Sequence, residues 1–242
     1  MGKLMHFFKY GLAVLLLSLT CSFNYALADT DEPSSIRIAM LHLELEYADL
    51  EHNAALIESG IELAAEHGAD WVMTPELSYT GYRFDLKIGT DWIPFGPDAY
   101  VKRVQSLAKK HKITVFLSHL ERLERVKRLE SETTEKKNES DIFNTLFVIN
   151  QAGEIIARHK KINTIPISES WSTAGTQTTT VTVGQHKVGL LICADAWPTT
   201  HAQNLKEQGA DIILSSANWA PGEYGPADKW ENALKKQACL FL

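Results

Sequence analysis

The chain is short of cysteine, of basic charge and of long apolar runs, and each shortage removes a class of function. Its 242 residues hold three cysteines (Cys21, Cys193 and Cys239), too few for a disulfide framework. No Cys-x-x-Cys, no His-Glu-x-x-His and no His/Cys cluster with zinc-ligand spacing occurs, so no metal or other cofactor is expected. Lysine and arginine number 24 against 30 acids, a formal net charge of -6. A nucleic-acid partner calls for a basic face, so none is expected. The one marked apolar run, "GLAVLLLSL" at residues 11–19, is too short for a membrane span.

That run follows Lys3 and Lys9 and precedes Ala26 and Ala28, small residues placed for a cut before Asp29. This predicts a signal peptide over residues 1–28 and a periplasmic or secreted protein free of the membrane after cleavage. An uncleaved anchor is the alternative. Residues 29–242, in a chain 45% hydrophobic, suit one domain with a core of its own.

The remainder alternates strand and helix patterns. "SSIRIAMLHLEL" reads as a strand, and "ADLEHNAALIESGIELAAEHG" as a helix closed by Gly68. A short strand, "ADWVMTPEL", runs into a proline. A helix "PDAYVKRVQSLAKKH" and a strand "ITVFLSHLERL" follow, then a hairpin in "DIFNTLFVINQAGEIIARHKK" that turns at Ala152 and Gly153. "TTTVTV" and "HKVGLLI" are strands, "TTHAQNLKEQG" a helix, "ADIILSSANW" a strand and "ADKWENALKKQACLFL" a helix. "ERVKRLESETTEKKNES" carries both signs of charge and reads as a solvated extension. Helix, Gly-Ala-Asp, strand occurs twice, which suggests two related βαβ-like halves. The fold class is α/β, a layered sandwich with helices outside two sheets.

Three stretches carry candidate chemistry. Cys193 ends the apolar strand "VGLLIC" and is either a core thiol or a nucleophile at a strand tip, where α/β proteins place reactive groups. A helix starting near Pro198 would favour a thiolate there. A nucleophile needs a base. His159, His186 and His201 read as loop or helix-surface residues, whereas Glu76 in "MTPELSYTGY" has apolar neighbours that suit a proton shuttle. A loop glutamate paired with a lysine is the plainer reading of Glu76. Lys160 and Lys161 close a strand in "RHKKINTIP" and read as a solvated strand end or as an oxyanion-stabilising charge.

In this order, "PEL" with "TGY" close behind, a lysine after "GEII", and Cys-x-Asp before "GADIILSSANW" resemble the carbon–nitrogen hydrolase family, the nitrilase superfamily. The resemblance runs from Ile36 to the end of the chain. It implies a four-layer α-β-β-α sandwich and a Glu-Lys-Cys triad of Glu76, Lys161 and Cys193, with Lys160 as the fallback lysine. "RHKKINTIP" lies over the family's Tyr-x-Lys-x-His-Leu-x-Pro, which puts His159 at the tyrosine place and Asn163 at the histidine place. Glu169, Ala194, Asn218 and Trp219 are then substrate-binding positions, Ala194 through its backbone N–H. Asp195 matches the aspartate that follows the nucleophile by two.

The implied activity is hydrolysis of a non-peptide carbon–nitrogen bond in a small amide, nitrile or carbamoyl compound, through a thioester. The lysine is expected to lower the thiol pKa. An N-acyltransferase with the same triad and a truncated, non-catalytic member are the alternatives. Family members assemble through helices flanking the site, so a homodimer is expected. "CADAWPTT" departs from the family's Cys-Tyr-Asp-x-Arg-Phe-Pro-Glu by placing Ala194 for tyrosine and Trp197 for arginine. Members run on into further strands beyond the last helix, so a sandwich lacking its last C-terminal strands is the expectation for a chain that stops at Leu242.

Overall fold

The computed structural model describes residues 35–125 and 140–218, with 231, 232, 234 and 235. The expected signal peptide, most of the charged extension, Trp219 and Cys239 lie outside the described residues. Of the last expected helix, residues 231, 232, 234 and 235 are helical.

A five-stranded sheet has the order β1 (Ile38–Met40), β2 (Trp71–Met73), β3 (Thr114–Glu124), β4 (Ser140–Ile149), β5 (Ile155–Lys160). Its first three strands are parallel, because helices α1 (Leu50–Glu66) and α3 (Ala99–His111) form the crossovers, and β3 to β5 run antiparallel. The β4–β5 hairpin turns at Gly153, as the Ala-Gly pair predicts. A second sheet joins β6 (Thr179–Val183), β7 (His186–Ile192) and β8 (Ile212–Ser216), with β6–β7 antiparallel and β7–β8 parallel across helix α4 (Thr199–Glu207).

Strand alternation assigns the layers. Trp71, Met73, Phe116, Leu146 and Val148 point inward and meet Val188, Leu190, Ile192 and Leu214 of the second sheet. The intervening residues Val72, Val115, Leu117, Phe147 and Ile149 point outward onto Ile57 and Ile61 of α1 and Val101 and Val104 of α3. On the far side, Leu191 and Ile213 pack against Leu205 of α4 and its neighbours. The sequence of layers is helix, sheet, sheet, helix, as expected. Gly189 lets α4 lie close: a Cβ there would stand 3.0 Å from Leu205 Cδ1.

The repeated Gly-Ala-Asp is a repeated local structure. Gly68 and Gly209 take positive φ, +74° and +86°, where a helix ends. Ala69 N–H then bonds Ala64 O and Ala210 N–H bonds Leu205 O, each at 3.0 Å. Asp70 gives its N–H to Arg37 O and accepts Arg37 N–H on its side chain. Asp211 does the same with Lys187. Each aspartate therefore aligns a parallel neighbour strand from both of its ends.

Three elements differ from expectation. The first strand is only Ile38–Met40, because its partner β2 stops just before Pro75, which has no N–H to give. Leu41, Leu43 and Leu45 keep alternating with exposed His42, Glu44 and Glu46, but the ladder adds only Leu41 N–H to Met73 O. A short helix α2 (Asp85–Ile88) and a 3-10 turn over Cys193–Ala196 follow strand-end loops that gave no periodic signal. Among the described residues no helix is long and apolar enough to cross a membrane.

Candidate active site

The candidate site lies where β2, β5, β7 and β8 end, the place where loops from both sheets meet. The loop after β2 carries Glu76, held by polar neighbours on both sheets. Thr74 Oγ1 accepts Ser118 N–H at 3.1 Å, and Ser118 Oγ accepts Leu77 N–H at 3.1 Å. Ser216 Oγ at the end of β8 donates to Thr74 O at 2.9 Å. Leu77 has a φ of +50°, costly for a branched side chain, and this reversal turns the preceding glutamate inward.

Glu76, Lys161 and Glu169 form one buried cluster. Lys161, the first residue after β5, is fully buried and its Nζ stands 2.7 Å from both Glu76 Oε1 and Glu169 Oε2. Glu76 Oε2 accepts the backbone N–H of Asn218 at 3.1 Å, so Asn218 reaches the cluster through its main chain. Glu169 closes its own turn, its carboxylate accepting Ile165 N–H at 2.8 Å while its N–H donates to Ile165 O. The Tyr82 ring lies 5.7 Å from the ammonium. Lys160 points elsewhere, its Nζ 3.8 Å from the centre of the Phe143 ring.

Cys193 follows β7 and opens the 3-10 turn with a φ of +46°. A strand stopping on a left-handed residue throws the side chain out of the sheet, at a cost of about 1–3 kcal/mol of backbone strain. The residue is 6% exposed, and the Glu76 charge acts on its thiol. Ala194, fully buried, is next in the turn. N–H groups in a helical first turn have no acceptor within the helix.

Asp195 ties the turn to the lysine loop. Its Oδ1 accepts the N–H groups of Ile162 (3.0 Å) and Asn163 (2.7 Å), and its Oδ2 accepts Ile192 N–H (3.1 Å). His159 Nε2 lies 3.0 Å from the same Oδ2, with His159 Nδ1 at 3.2 Å from Thr179 Oγ1. His159 is fully buried, which corrects its reading as a surface residue. The missed signal is period two: in "IIARHK" Ala157 faces the inter-sheet core, and His159 shares its face.

Burial raises the Glu76 pKa, Lys161 pulls it down, and Glu169 adds to the rise; the net is upward. For Lys161 burial opposes the charge, but Glu76, Cys193 and Glu169 together outweigh it and lift the ammonium above its usual range. The Cys193 thiol is pushed well up, first by burial and then by the Glu76 charge, against a smaller downward pull from Lys161. The expectation of a thiol lowered by its lysine is therefore overturned. The resting group is a neutral thiol beside a carboxylate.

One polar residue in the cluster escaped the sequence reading. Asn144 in the middle of β4 is fully buried, and its Nδ2 donates to Glu76 Oε1 and to Glu169 Oε1, both at 2.9 Å. The available signal was an amide in the apolar strand "DIFNTLFVI", on the inward face shared with Leu146 and Val148.

Known proteins share this architecture. The NitN amidase of a Nesterenkonia species superposes with a TM-score of 0.61 at 22% identity, over 78% of this chain and 69% of that one. A nitrilase of Pyrococcus abyssi is 26% identical over 187 residues, and a citrullinase of Francisella tularensis 27% over 229. The chain spans 65% of the length of the first and 72% of the second, and the matches take in 76% and 86% of this chain. A model of the carbon–nitrogen hydrolase family matches residues 37–238, and the chain belongs to that family.

Proposed function

We propose that the protein hydrolyses a non-peptide carbon–nitrogen bond of a small amide, nitrile or carbamoyl compound, with Cys193 as nucleophile, Glu76 as base and Lys161 as the fixed charge. The observation that carries this reading is Lys161 Nζ, wholly buried and 2.7 Å from two carboxylates, one of which, Glu76, acts electrostatically on the Cys193 thiol. Membership of the family supports the class of bond.

For an amide, Glu76 takes the thiol proton as Sγ attacks the carbonyl carbon. Two of the three ammonium hydrogens of Lys161 go to the glutamates, which leaves the third for the oxyanion, together with the N–H of Ala194. The C–N bond breaks as Glu76 returns its proton to the departing amine. Water, deprotonated by the same carboxylate, then attacks the thioester, and Sγ leaves with the proton. The sum is amide plus water giving acid plus amine. Because burial and the Glu76 charge push the thiol pKa up, the proton transfer and the attack belong to one step.

The test is ammonia release from a panel of amides, nitriles and carbamoyl compounds, with Cys193→Ala as the silent control. A folded parent that releases none overturns the reading.

A pH dependence follows from Glu76. The base acts only when unprotonated, and burial places its pKa above the ordinary carboxylate value. Activity should therefore fall with acidification while still above about pH 4.3. The kcat/KM profile reads this directly, and an acid limb below about pH 4 contradicts the assignment.

The lysine-flanked apolar run before Asp29 supports export to an oxidising compartment. N-terminal sequencing of the mature protein should begin at Asp29, and retention of Met1 or the residues after it overturns cleavage.

A further inference from the structure

We propose that Asn144 is a positioning residue that keeps Glu76 and Glu169 as two separate, simultaneously ionised carboxylates by giving each of them one hydrogen of its side-chain amide. The inference rests on the reading of Glu76 as the base for Cys193.

Two buried carboxylates at one cation have a simpler way to coexist: they share a proton, and one ceases to be a base. Lys161 brings one positive charge to two acids, so it cannot prevent this alone. The groups facing the pair are Lys161 from the end of β5, Cys193 from the end of β7 and the Tyr82 ring from the loop after β2. None of these is a second cation.

Asn144 supplies what is missing. An amide nitrogen carries two hydrogens and accepts nothing, so a bond from it favours the ionised form of each glutamate. Both bonds are 2.9 Å, and both go to Oε1 atoms that would otherwise be candidates to hold a shared proton. The other end of the amide bears this out. Asn144 Oδ1 is buried without a hydrogen-bond partner among the described residues. An orphaned acceptor is ordinarily avoided, yet the reversed amide would set that oxygen against two carboxylate oxygens. The main chain of Asn144 adds to its hold on the cluster, since its C=O accepts Lys161 N–H at 2.9 Å.

The test uses the full chain and needs no substrate. Iodoacetamide alkylation of Cys193 is followed by mass across pH in the parent, in Asn144→Leu, and in both again with Glu169→Gln. Asn144→Leu removes both donors at similar volume, and it should move the acid-side midpoint up by about one pH unit, a tenfold change in proton affinity. With Glu169→Gln no second acid remains to share a proton, so the same substitution should then move the midpoint by clearly less, only the direct bond to Glu76 being lost. A merely structural role for Asn144 predicts the same loss in both backgrounds. An unmoved midpoint in folded Asn144→Leu, or an equal shift beside Glu169→Gln, overturns the proposal. Should Asn144→Leu not fold, Asn144→Ser carries the same comparison. Absence of ammonia release from every compound would end the proposed function while leaving this titration fully readable.

Discussion

Replacing Lys161 with methionine should abolish turnover and lower the unfolding free energy by about 3–5 kcal/mol, the cost of breaking a buried ion pair from one side. Lys161 is wholly buried with both carboxylates at 2.7 Å, and methionine fills its volume while leaving two acids with no cation between them. For a domain of this size the thermal midpoint should drop by roughly 6–20 °C. The defect also has a predictable pH course. Without the lysine, burial and the Glu169 charge hold the Glu76 pKa above its unfolded value. Such groups stabilise the fold while protonated, and that contribution is lost as pH rises through the folded pKa. The deficit should thus be smallest in acid and grow as pH rises from the acid range to neutrality. Denaturant unfolding of parent and variant across that range checks it. A deficit that stays constant with pH, or activity within tenfold of the parent, would contradict the role given to Lys161.

Glu76→Gln should spare stability while being as damaging to chemistry. The cluster of one lysine and two glutamates carries a formal charge of -1, and the substitution brings it to zero with Glu169 still facing Lys161 at 2.7 Å. Glutamine retains an oxygen for Lys161 and Asn144, so the fold should keep its stability to within about 1–2 kcal/mol. The amide cannot take a proton from the thiol, and kcat/KM should fall by about a thousandfold or more. Single-turnover and steady-state assays on a folded variant decide the matter, and a loss under tenfold rules out Glu76 as the base. The pair of substitutions would separate the two duties proposed for one cluster, Lys161 holding charge together and Glu76 moving a proton.

Much of this arrangement was legible in the chain, for reasons that particular residues make plain. Glu76, Lys161 and Cys193 sit where periodic stretches break off, at a proline, after a hairpin and after an aliphatic strand, and such ends are where a sequence advertises chemistry. The layers followed from alternation, because residues such as Trp71 and Val72 face opposite cores. The length of β1 was not legible, since Leu41 to Glu46 keep the strand pattern and only the partner's Pro75 stops the ladder. Asn144 and His159 were hidden inside strands, where a polar side chain reads as an outward residue until the register fixes its face. The direction of the thiol pKa was hidden too, because burial and the Glu76 charge outweigh the lysine only once all three are in place.

Asp195 has a consequence for how a small molecule is received. One buried carboxylate takes hydrogens from Ile162 and Asn163 beside the lysine and from Ile192 beside the sulfur. The loops that carry the ammonium and the Cys193 thiol are accordingly tied to each other when the chain folds. A small molecule bound between those two loops would spend little of its affinity on bringing them to order.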